Sequence, residues 1–204
     1  MSRPIAVVFD VGNVLYDWDP RFLYERLIDD DRALDAFLRH VVTKEWHFQH
    51  DAGRPFAETS AELSAQYPEH AEHIAVWGPR FHEQIPNMLP GMATLVEELD
   101  AAGVPLYAIT NFSGEFWPPF RNREAAIFDR FRDIVVSGDE KLTKPDAAIY
   151  TLALERFGLA AEEALFVDDR ADNIAGAEAV GMKALLFTDA PTLRRQLAEQ
   201  GLLA

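Results

Sequence analysis

Five short apolar runs recur along the chain: Ile5–Phe9, Pro105–Ile109, Ile134–Val136, Ala164–Val167 and Ala184–Phe187. Each reads as a buried strand. Amphipathic stretches separate the later runs. Residues 91–102 carry Leu95, Val96 and Leu99 and stop at Gly103. Residues 145–157 start with Pro145 in the first turn and stop at Gly158, and residues 173–180 stop at Gly181. Pro at a helix start and Gly just past its end are the expected boundary residues. Residues 192–200 predict a closing helix. Strand-like and helical segments alternate, which favours an α/β domain whose parallel strands are joined by right-handed crossovers.

Residues 16–88 break this alternation. Leu23, Leu27, Leu34, Phe37, Leu38 and Val41 recur at helical spacing and no clear strand appears. The segment predicts a helical insertion (16–88) between the first strand (1–15) and the rest of the core (89–204), with Pro86, Pro90 and Gly91 at its return hinge. All six histidines, His40, His47, His50, His70, His73 and His82, fall inside it. His70 and His73, three apart beside Glu69 and Glu72, are expected to be solvated.

Several of the apolar runs end directly in polar residues: Asp10, Thr110, Asn111, Ser137, Asp168 and Asp169. In open parallel sheets ligands bind at the carboxyl ends of the strands, so these residues are the candidate site. Asp10 follows a buried strand and is ionised at neutral pH, so it can act as a nucleophile without a helper base. Gly12 is expected to let the backbone turn tightly and expose its carbonyl. Thr110 and Asn111 offer a hydroxyl and an amide for phosphoryl oxygens, although both also suit turns and helix caps. Lys144, just before a predicted helix start, can neutralise an anion. Asp168 and Asp169 in tandem suit a hard cation such as magnesium.

The chain has 204 residues and 49% apolar content, enough for one sizeable core or a core with a small accessory domain. Its formal charge is −15. No basic footprint for nucleic acid is visible, and the negative field would repel phosphate esters at long range. An anionic substrate therefore needs local positive charge, which a divalent cation and Lys144 would supply. There is no cysteine, which removes disulfide, thiol and zinc-thiolate chemistry. The start of the chain has no signal-peptide apolar core, and no run approaches membrane-helix length, so a cytoplasmic location without a membrane partner is expected.

The blocks Val7–Leu15, Ala108–Asn111, Lys144–Asp146 and Leu165–Asn173, in this order on this strand pattern, resemble the haloacid dehalogenase-like superfamily. The likeness spans essentially the whole chain. It is nearest to members with a small helical cap, and in Phe9–Asp19 and Lys144–Asn173 to bacterial sugar-phosphate phosphatases. The resemblance implies a Rossmann-like, three-layer parallel sheet core with an inserted helical cap. It implies a magnesium-dependent phosphatase of small phosphorylated metabolites, sugar phosphates among them, working through an aspartyl-phosphate on Asp10. Magnesium would be held by Asp10, the Gly12 carbonyl and Asp169, with Asp168 as a second ligand or outer-shell partner. Thr110, Asn111 and Lys144 would hold the transferring oxygens.

Many phosphatases of the superfamily carry a second Asp two residues after the nucleophile, as general acid and base. Here that position is Gly12. A good leaving group would compensate, or another residue substitutes, with Asp17, Asp19 and His47 the candidates by position. Residues 45–53, rich in aromatic and polar side chains, are expected to read the substrate through Trp46, His47 and Gln49, with Arg21 reaching an anionic group. The same aromatics equally suit the interior of the insertion. Two other functions remain open at this point: a 2-haloacid dehalogenase using Asp10 on carbon without a metal, and a catalytically weak binding module.

Overall fold

A computed structural model describes residues 4–204; residues 1–3, the first part of the 1–15 segment, lie outside the described residues. The strands are β1 (Ala6–Phe9), β2 (Leu106–Thr110), β3 (Asp133–Val136), β4 (Ala164–Asp168) and β5 (Lys183–Leu186). They form one sheet in the order β3-β2-β1-β4-β5, every neighbouring pair parallel.

Side chains alternate across a strand, and here both faces are covered. Val7, Phe9, Leu165 and Val167 point into one apolar layer, and Ala6, Val8, Ala164 and Phe166 into the other. The first layer is closed by the Met92–Ala101 and Ala190–Glu199 helices through Leu95, Val96, Leu99, Leu193 and Leu197. The second is closed chiefly by the Ala147–Phe157 helix through Ile149, Tyr150, Ala153 and Phe157. The chain is thus an α/β protein with helices on both sides of a parallel sheet.

Residues 21–75 contain the helices Arg21–Tyr24, Asp31–His40, Lys44–Asp51, Phe56–Gln66 and Ala71–Ala75. The apolar stripe from Leu23 to Val41 is not one helix. Asp30 is extended and its carboxylate accepts from Ala33 N at 2.8 Å, starting a new helix there. Where the chain leaves and rejoins the sheet domain its two arms run side by side. Tyr16 bridges Met88, Leu89 N donates to Leu15 O at 2.9 Å, and Asp17 N donates to Asn87 O at 3.0 Å. The buried side chains of this segment, among them Phe37, Trp46 and Trp77, join the apolar layer on the first face of the sheet.

Three local expectations are corrected. Pro145 is not in the first turn of its helix, which runs Ala147–Phe157 with Asp146 as its extended cap residue, so Lys144 stands two residues before the cap. The tight turn after β1 draws its left-handed backbone from Asn13 (φ 58°), where the freedom of Gly12 was expected to make the turn. Asn tolerates that region, and Asn13 Oδ1 braces the turn by accepting from Trp18 N at 3.0 Å. His70 and His73 are only part-exposed. Their rings pack on Phe37, with centroids 5.2 and 5.7 Å away, because the aromatic ring completes the helix contact that full solvation would forgo.

Candidate active site

The strand order reverses direction at β1, which has β2 on one side and β4 on the other. Phe9 and Val167 are in register, so Asp10 and Asp168 leave adjacent strands together at this switch point, and Asp10 N donates to Val167 O at 2.8 Å. A cavity of about 470 Å³ opens there, lined by Asp10, Gly12, Asn111, Lys144 and Asp169 from the sheet domain and by Lys44, His47 and Asp51 from the helical insertion.

Lys144 is fully buried, and its Nζ lies 2.8 Å from Asp10 Oδ1 and 2.7 Å from Asp168 Oδ2. Burial alone would push its ammonium down; the two carboxylates more than offset this and hold it above the usual lysine range. Burial pushes the Asp10 carboxyl up to about 7, with Lys144 pulling it down and the Asp168 charge adding to the rise. Val11 N also donates to Asp10 Oδ1, at 2.6 Å.

Asp168 is saturated. Its Oδ1 accepts from Arg170 N (2.8 Å) and Asn173 Nδ2 (3.0 Å), and its Oδ2 from Lys144 Nζ (2.7 Å) and Asn173 Nδ2 (3.0 Å). A carboxylate offers about four lone-pair sites, so little coordination capacity remains. Asp10, Asp168 and Asp169 nonetheless place an oxygen each within 4.8 Å of one another, the one such acidic cluster found among the described residues. Asp169 is the more open of the three, and its carboxyl is raised by burial and by the neighbouring Asp168.

Asn111 lines the cavity, and its side chain grips the main chain of Lys144. Oδ1 accepts from Lys144 N at 2.8 Å and Nδ2 donates to Lys144 O at 3.0 Å. The amide thus positions the lysine, and its second N–H stays unengaged at the cavity wall. Thr110 is fully buried at the end of β2, and its hydroxyl has no hydrogen-bond partner. Thr110 is not among the residues that line the cavity.

Over residues 6–181 the chain matches the model of the haloacid dehalogenase-like hydrolase family. It belongs to that family. Among its relatives are the sesquiterpene phosphatase astK of Aspergillus oryzae, 29% identical with 90% of each chain covered, and a phosphoglycolate phosphatase of Yersinia pseudotuberculosis, 33% identical over 90% of this chain and 80% of the relative. In fold it is similar to a haloacid dehalogenase family enzyme of Bacteroides thetaiotaomicron solved as a magnesium complex, at TM-score 0.72 and 18% identity, covering 92% of this chain and 95% of the other.

In this haloacid dehalogenase-like hydrolase the insertion meets the site differently from the expectation. His47 does line the cavity, its ring stacked on Trp18 at 4.9 Å and on Phe81 at 5.8 Å. Trp46 instead faces the interior of the insertion, edge-on to Trp77 at 5.1 Å with its Nε1 donating to Thr59 O at 3.2 Å. Gln49 turns to Arg54, whose guanidinium donates to its side-chain oxygen. Arg21 is engaged by Asp31 and Asp35 at 2.8 and 2.7 Å, away from the cavity. Trp46 and Gln49 share the His47 helix but turn other faces to their neighbours, and Arg21 stands on a separate helix.

The insertion's cation at the cavity is Lys44, with Arg170 beside it from the sheet domain. The main residue missed by sequence reasoning is Asp51, four after His47 on the same helix face. Only that spacing could have pointed to it. Asn173, the clamp on Asp168, was likewise read only as a helix start. An Asn in the first turn of a helix beginning just after a strand-end acid is the signal that was available.

Proposed function

We propose that this hydrolase is a magnesium-dependent phosphatase of small phosphomonoesters in which Asp10 attacks phosphorus and becomes an aspartyl-phosphate. The observation that carries the reading is the convergence of Asp10, Lys144 and Asp169 at one end of the sheet, inside a single cavity.

The donor set fits magnesium. Asp10 and Asp169 are hard oxygen ligands, and the Gly12 carbonyl belongs to the same turn, so these three would hold the ion. Bound there, magnesium would supply the positive charge that lets a carboxylate approach a phosphate dianion. Asp168 anchors Lys144 in this reading and is not itself a ligand. Lys144 adds a fixed positive charge beside Asp10. Expulsion of the alcohol leaves the aspartyl-phosphate, which water hydrolyses to restore Asp10.

The substrate's other half would lie against Trp18, Phe48, Phe81, Ile85 and Phe112, with Lys44 at hand for a second anionic or hydroxyl group. A sugar ring, apolar on its faces and polar on its rim, suits such a wall. Two relatives named as phosphatases and a fold neighbour solved with magnesium support the reading. The clustering of Asp169 with Asp10 favours a metal-dependent phosphatase over a metal-free dehalogenase. The test is phosphate release from a panel of metabolite phosphates with and without magnesium. Release should require the ion and fall by about 10³-fold or more in Asp10→Asn. Unchanged release in that variant would sink the proposal.

A further inference from the structure

An alkoxide leaving a phosphate ester needs a proton, and a positioned acid typically contributes about 10²- to 10⁴-fold. Gly12 has none to give. Lys144 is held between two carboxylates. Burial, with His50 nearby, pushes His47 down to about 3, so its imidazole is neutral and a poor acid. Asp17 and Asp19 are not among the residues lining the cavity, and Asp19 accepts from Arg21 N at 2.7 Å.

Asp51 has the properties the reaction needs. It ends the Lys44–Asp51 helix, lines the same cavity as Asp10, and is 5% exposed. Its Oδ1 is buried with no hydrogen-bond partner, and its Oδ2 lies 3.5 Å from His47 Nε2. The sheet domain fixes its main chain. Ser137 Oγ donates to Asp51 O at 2.6 Å and accepts from Phe112 N, next to Asn111, at 2.9 Å. Two residues on, Gly53 (φ 87°) is pressed so closely to the core that a Cβ there would sit 2.8 Å from Gly138 O. Asp51 is thus a residue of the insertion locked to the loops after β2 and β3, at the same end of the sheet as the nucleophile.

We propose that Asp51 is the general acid and base of the reaction, taking the place that Gly12 cannot fill. The inference rests on the phosphatase reading above. As the acid, Asp51 would start protonated; burial and the Asp10 charge push its carboxyl in that direction, with Lys144 pulling the other way. With His47 held neutral by burial, its 3.5 Å contact with Asp51 is not an ion pair. In the first step Asp10 forms a bond to phosphorus. The bond to the leaving oxygen breaks, its electron pair stays on that oxygen, and Asp51 protonates it as the alcohol departs. In the second step Asp51, now a carboxylate, takes a proton from water as the water oxygen bonds to phosphorus. The phosphorus–Asp10 bond breaks, its pair returns to Asp10, and phosphate leaves.

The test compares 4-nitrophenyl phosphate, whose leaving group needs no proton, with phenyl and alkyl phosphates, whose leaving groups do. In Asp51→Asn, kcat/KM should stay within about threefold for the nitrophenyl ester and fall by about 10²-fold or more for the alkyl ester. The variant should also show a burst of nitrophenol with accumulating phosphoenzyme, because its second step has lost the base. Ser137→Ala, which keeps the carboxyl but frees the main chain, should show a weaker form of the same split. An equal fall for all esters in both variants, or no fall in either, would overturn the role of Asp51. Magnesium-independent release, or release untouched by Asp10→Asn, would overturn the phosphatase reading instead.

Discussion

Lys144 is placed by its main chain as much as by its charge. Asn111 grips both its N–H and its C=O, while Asp168, itself gripped by Asn173 and Arg170 N, holds the ammonium. Asn111→Ala removes two hydrogen bonds and leaves the partners of a largely buried segment unpaired, which costs about 1–3 kcal/mol. Melting temperature and kcat/KM should therefore fall together in that variant. An Asn that touched only the substrate would lower kcat/KM and leave the melting temperature alone, and that result would refute the positioning role. At this scale the sequence revealed which residues stand at the strand ends, since an apolar run ending in Asp or Thr is visible in one dimension. It did not reveal which acceptors were already spent. The grip of Asp168 on Lys144 and of Asn111 on the Lys144 main chain, across 24 and 33 residues, is set by the parallel register of the sheet and leaves no trace in one dimension.

The strands were legible because burial on both faces leaves uninterrupted apolar runs, and the crossover helices because glycine closes them. The insertion was legible as helical but not in its breaks or facings, where capping by Asp30 and Thr43 and mutual aromatic packing decide. Its Lys44–Asp51 helix carries a burden that shows the consequence. His47 and His50 are buried against aromatic rings. Burial, with His50 beside the first and Arg54 beside the second, lowers them to about 3 and about 4. Between the unfolded histidine value near 6.5 and these values, the unfolded chain binds more protons, so the two imidazoles make stability fall as pH falls. Asp51 works the other way. Its raised carboxyl keeps a proton that the unfolded chain has lost above about 3.9, so it makes stability fall as pH rises. Asp51→Asn should therefore melt higher than the parent at pH 8, by about 3 °C or more, and lose stability more steeply on acidification to pH 5. A variant less stable than the parent at pH 8, with an unchanged acid slope, would show that Asp51 is ionised in the folded protein. Imidazole resonances of His47 and His50 that titrate near 6.5 would show that the helix is solvated.

The whole molecule presents its active site through an unfavourable field. Its formal charge is −15, yet the proposed substrate is a dianion. The cations near the opening, Lys44 and Arg170, act over a few ångströms, and Arg170 is partly neutralised by Asp172 at 2.6 Å. Beyond one Debye length, about 10 Å at 0.1 M salt, the net charge dominates what an approaching phosphate ester feels. Added salt should therefore relieve repulsion, and kcat/KM should rise between about 10 and 150 mM ionic strength. Magnesium responds in the opposite sense, because the same field draws the divalent cation in and salt weakens that pull. The experiment therefore needs saturating magnesium at every ionic strength, with its occupancy checked independently. Under that condition kcat should stay nearly constant while KM falls, since screening alters the encounter and not the bond-breaking step. A KM that climbs with salt would mean that Lys44 and Arg170 outweigh the rest of the surface and steer the substrate themselves. Lys44→Ala would then abolish the salt dependence, whereas under the net-charge account it should steepen it.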